Sequence, residues 1–88
     1  MMKTREDIFV ALNIERVYQD GKFGTEFDDK NTINDWVTYI TNYASNASFA
    51  ENDDQATKQL LKVAALALAA IEAYERNGNS FPNRHYDS

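Results

Sequence analysis

Between Leu60 and Tyr74 the chain reads LLKVAALALAAIEAY, fifteen residues that carry only two charges, Lys62 and Glu72. A helix that is apolar or alanine nearly all round has to be buried on most sides. A chain of 88 residues has few other elements to cover it. The missing cover is therefore expected from a second copy of the same chain, in a dimer or higher even assembly. Ala64, Ala65, Ala67, Ala69 and Ala70 would let backbones approach closely, while Leu60, Leu66, Leu68 and Ile71 place apolar area on different faces.

Apolar residues make up 43% of the chain and aromatics 12%, which sets it among folded proteins rather than disordered ones. The net charge of −5 argues against a nucleic-acid polymer as partner, because phosphate neutralisation needs a basic stripe and the nine Lys and Arg are scattered. A small anion in a local basic pocket stays open. With no cysteine, disulfides, thiolate metal sites and a cysteine nucleophile are all excluded. The N-terminal MMKTREDIFVALN is too charged for a secretory segment, and no apolar run approaches a membrane span. The expected location is the cytoplasm.

The expected fold is all-α: a small bundle of three main helices completed by homo-oligomerisation, with a helical domain over residues 1–78 and a C-terminal tail over 79–88. Thr4 and Asp7 have capping-box spacing and open a first helix that runs to about Gln19, ended by Gly21 and Gly24. On it Ile8, Leu12 and Glu15 share one line, with Ile14, Val17 and Tyr18 beside it, so Glu15 borders the core. An arginine is its expected partner. The stretch DGKFGTEFDDKN has no periodicity and reads as an ordered loop. Thr32 and Asp35 repeat the capping spacing before Ile33, Trp36, Val37, Ile40, Ala44 and Ala47, a second helix to about Ser48. Trp36 is expected in the core, beside Ile40 and against the first helix. The polar ENDD caps a third helix from about Gln55 to Asn77, with Gly78 in the left-handed cap position. Phe81 and Tyr86 in the tail suggest docking on a neighbour.

No catalytic constellation stands out, and neither a cofactor nor a metal site is expected. The one histidine, His85, lies near the C-terminus without a fixed partner, which a general base requires. Serines lack both a usable histidine and a nucleophile elbow, and no glycine-rich phosphate loop is present.

The order ERVYQDGKFG, a loop, INDWVTYITNYASNA, a polar break and KQLLKVAALALAAIEAYERNG resembles the MazG-like proteins of the all-α nucleoside triphosphate pyrophosphohydrolase superfamily, short phage versions above all. The resemblance covers roughly residues 8–78, and EFDDKNT is similar to an acidic-pair loop in phage proteins of this kind. Active members of that family hold magnesium with Glu-Glu-x-x-Glu on one helix and Glu-x-x-Asp on the next. Here Asn42, Tyr43 and Asn46 align with the first motif and Gln59 and Lys62 with the second. Magnesium needs hard oxygen ligands that amides and an ammonium cannot replace, so the resemblance implies the fold without the ancestral metal site.

What it implies for function is a non-catalytic nucleotide-binding protein of phage type, one that sequesters or senses a nucleotide signal in the host cytoplasm, an anti-defence role. Lys62, standing where the family places an acid, would meet phosphate directly. Lys58 lies one turn earlier, Asn42 and Asn46 form an amide pair on the facing helix, and Arg16, Lys22 and Lys30 complete the expected ligand-binding set, a neighbouring subunit being one source. Two alternatives follow from the same residues: a magnesium-dependent pyrophosphohydrolase with carboxylates rearranged to Glu15, Asp28 and Asp29, and an interaction module that blocks a host factor.

Overall fold

A computed structural model describes residues 4–84. It contains four α-helices: α1 (Arg5–Lys22), α2 (Gly24–Lys30), α3 (Ile33–Ser48) and α4 (Asp53–Arg76). Described residues contain no strand. Side chains read directly from the sequence set the helix starts. Thr4 Oγ1 accepts from the Asp7 amide at 3.1 Å. Thr32 and Asp35 form a full capping box, at 3.2 and 2.9 Å. Asn52 Oδ1 accepts from the Gln55 amide at 2.9 Å, and Asp53 and Asp54 follow where the helix dipole favours acids. At the far end of α4, Gly78 takes a φ of +71°, and Asn79 N–H reaches back to the Tyr74 carbonyl at 3.0 Å in a Schellman closure.

The expected loop after the first helix is mostly helical. α1 continues through Gly21 to Lys22, and Gly24, at φ +81°, turns the chain into α2. A seven-residue helix has no room for hydrophobic periodicity; neighbours hold this one. Phe23 and Phe27 stack at 5.3 Å between ring centroids, and Arg76 of α4 grips Asp29 at 2.7 Å. The bundle thus has four helices rather than three.

α4 is the hub, packing against α3, α1 and α2. Its inner face presents Ala65, Ala69, Ala70 and Ala73, all buried, and Trp36 of α3 packs against the last three. Trp36 is in the core as expected, but it lies on α4 rather than on the first helix: small alanines leave the space an indole fills. Phe81 folds back onto Tyr74 of its own chain, with ring centroids 5.2 Å apart, and joins this cluster. Tyr86 and His85 lie outside the described residues.

α1 keeps part of its expected facing, with Leu12 and Glu15 half-buried, and departs from it at Ile8, Ile14 and Val17. Arg16 is buried and Glu15 and Gln19 are half-buried, whereas Ile14 and Val17 are each 64% exposed, as Phe9 and Val10 nearly are. Its polar residues face inward because Arg16 is held there by ion pairs. The radius of gyration, 14.1 Å, exceeds the about 12 Å of a compact chain this long, in keeping with an elongated body of 44 × 26 × 21 Å.

Candidate functional site

All four helices meet around one cavity of about 200 Å³. α1 lines it with Glu15, Tyr18, Gln19 and Lys22, at the three- and four-residue steps that bring side chains to one face. α3 does the same with Trp36, Tyr39 and Tyr43, and α4 with Lys62, Leu66 and Ala69. The α1–α2 and α2–α3 junctions add Phe23 and Asn31, and α2 adds Phe27 and Asp28. Six of the fourteen lining residues are aromatic. Trp36 meets Tyr39 edge-on at 6.3 Å, a preferred aromatic geometry.

Two cations border the rings. Lys22 Nζ lies 5.2 Å over the Phe23 ring and Lys62 Nζ 5.7 Å over Tyr18. Lys62 also meets Glu15 at 3.4 Å, so the expected arginine partner of Glu15 is in fact a lysine from α4. That contact is longer than the about 2.7–2.9 Å of a strong charge-assisted bond. The lysine is held loosely.

The cavity wall contains buried polar groups of two kinds. Burial pushes the Asp28 carboxyl above its usual value, with Arg16 and Arg76 pulling partly the other way. Asn31 Nδ2 and Trp36 Nε1 are buried nitrogens with no hydrogen-bond partner, on residues that are 6% and 2% exposed. Buried polar groups are nearly always paired, so these two nitrogens are exceptions to the rule.

The seven expected ligand-binding residues are dispersed. Lys22 and Lys62 line the cavity. Arg16 lies behind the wall with every guanidinium nitrogen donating, to Glu72, Gln19 and Asp20. Glu72 and Asp20 outweigh the burial that opposes its charge and raise its pKa. Lys58 pairs with Asp54 and Lys30 with Glu26 on exposed surface. Asn42 and Asn46 are exposed on α3, away from the cavity. Of the alternative carboxylates, Glu15 and Asp28 reach the cavity, while Asp29 is bound to Arg76. Among the described residues no group of three Asp, Glu or His could hold a metal ion. Asn31 and Trp36 were not legible as site residues: an Asn before a capping Thr reads as a turn, and a Trp on a helical stripe reads as core.

No protein-family model matches the chain, and neither a curated protein nor a solved structure is significantly similar to it. Among the described residues no helix is long and apolar enough to cross a membrane.

Proposed function

We propose that this protein binds a small nucleotide or related aromatic phosphate without turning it over, as a MazG-like fold of phage type that has lost its metal site and acts by sequestering or sensing its ligand. The observation that carries this reading is the meeting of aromatic rings with Lys22 and Lys62 at a single cavity. Rings offer stacking surfaces to a base, and ammonium groups at their edge offer charge to phosphate without a cation. Lys62 can turn from Glu15 to a ligand at small cost, given their long contact. Assembly through the outward side of α4, where Leu60 and Ile71 are more than half exposed, belongs to the same proposal, with the exposed apolar residues of α1 as additional contact area.

A calorimetric titration with a panel of mono-, di- and cyclic nucleotides, in EDTA and again in magnesium with product analysis, tests it. Binding in EDTA without product is expected, weakened about tenfold or more by Lys62→Asp together with Lys22→Ala. Product formation in magnesium would establish the rearranged hydrolase. No binding by any member would leave the interaction module.

A further inference from the structure

Two acids line the cavity, and only one of them has a partner: Glu15 is held to Lys62, whereas Asp28 is held to nothing. Asp28 is 8% exposed and lines the cavity with Phe27 and Asn31, the inner face of α2, while its neighbour Asp29 turns away to Arg76. No hydrogen bond or ion pair among the described residues reaches its carboxyl. Arg16 and Arg76 act on it only through space, against Asp20 and Asp29, and burial outweighs them. Unlike Trp36 Nε1 and Asn31 Nδ2, its oxygens are not sealed inside the wall, so a group in the cavity can reach them. A carboxylate only accepts, and burying one without donors is costly. What Asp28 lacks is an N–H.

We infer that the cavity selects guanine among the nucleobases, with the base N1–H and N2–H donating side by side to the two Asp28 oxygens. This inference rests on the ligand-binding reading above and names the base that enters. A cation would answer the same carboxylate, but Lys22 and Lys62 border the cavity and repel one, so the donors have to belong to a neutral ring. Among the common bases guanine alone sets two N–H donors next to each other. Adenine and cytosine place their amine beside a ring nitrogen whose lone pair repels a carboxylate, and uracil flanks its single N–H with two carbonyls. Aromatic walls take any of these rings; the hydrogen-bonding edge tells them apart. At about 200 Å³ the cavity exceeds the about 150 Å³ that admits benzene, and sugar and phosphate would stay outside with the two lysines.

The probes are guanosine, inosine and adenosine 5′-monophosphates, titrated calorimetrically in EDTA. Inosine differs from guanosine only in lacking the N2 amine, which leaves one Asp28 oxygen unpaired. Guanosine monophosphate should bind about tenfold or more tightly than either of the others. Asp28→Asn replaces an acceptor by a donor and should abolish the difference between guanosine and inosine, with the melting temperature as a check on folding. Glu26→Gln removes the same charge from the exposed surface of α2, outside the cavity, and should keep the full preference. If guanosine and inosine monophosphates bind the wild type alike, if Asp28→Asn keeps the preference, or if Glu26→Gln loses it, the role of Asp28 is overturned while ligand binding stands. If guanosine monophosphate fails while another nucleotide binds, this inference alone falls. If nothing binds, both fall together.

Discussion

Arg16 Nε and Nη2 both donate to the same oxygen of Glu72, at 3.0 and 2.7 Å, across 56 positions of sequence. This pair joins α1 to α4 and turns the polar side of α1 inward. Arg16 is almost wholly buried, while Glu72 keeps about half its side-chain exposure, so the two partners are not equivalent. Glu72→Ala should cost about 1–2 kcal/mol, because Asp20 and Gln19 still hold the guanidinium. Arg16→Ala should cost more, about 2–4 kcal/mol, since it also removes buried side-chain volume. Urea denaturation of both variants and of the double variant measures this; strict additivity would show that the two do not interact.

Trp36 is the largest side chain buried almost completely, and alanines surround it. Trp36→Ala should therefore lose about 3–5 kcal/mol, as the buried alanines beside it cannot expand into the space. Circular dichroism is the appropriate readout, because the variant contains no tryptophan. A loss below about 1 kcal/mol would mean that the indole is not the core of the α3–α4 contact.

Asp28 should shape the pH dependence of stability. Burial raises its carboxyl in the folded chain, so the fold binds its proton more readily than the unfolded chain does. Stability contributed by this group is then greatest below the usual carboxylate range and falls as pH rises through the raised value. Asp28→Asn should be more stable than wild type near neutrality, with the advantage shrinking towards about pH 4. Melting curves across that range decide it; a gain that grows on acidification would reverse the sign and refute the assignment.

The outward stripe of α1 is the place to test assembly. Ile14 and Val17 are each 64% exposed and Phe9 59%, apolar side chains of the kind that contact a partner when they lie together. Sedimentation of the wild type at micromolar concentration should show an oligomer, and Ile14→Asp with Val17→Asp should release folded monomer. A wild type that sediments as a folded monomer would end the proposal of self-association.

Local rules were the legible part of this chain. Thr4, Thr32, Asn52 and Gly78 mark helix ends by contacts that span only a few residues, and each is found in its cap. α2 was not legible, because a seven-residue helix is held by Arg76 from 47 positions away. The facing of α1 was legible only in part: Leu12 and Glu15 border the core as their shared line implies, whereas Ile14 and Val17 beside them point outward, with Arg16 held inside by a long-range ion pair. At the cavity, charge was readable in Lys22 and Lys62, but the unpartnered state of Asn31 and Trp36 exists only in three dimensions.

The inner face of α4 is made of alanines, and this has a calorimetric consequence. Alanine removes little apolar area from water when it is buried, and the core cluster holds one indole and three alanines with only partly buried Tyr39, Leu66 and Phe81 around them. Heat capacity of unfolding follows that area. The single chain should accordingly unfold with an increment below the about 12–15 cal/mol/K per residue of ordinary domains, and its stability should change only gently between the cold and its melting point.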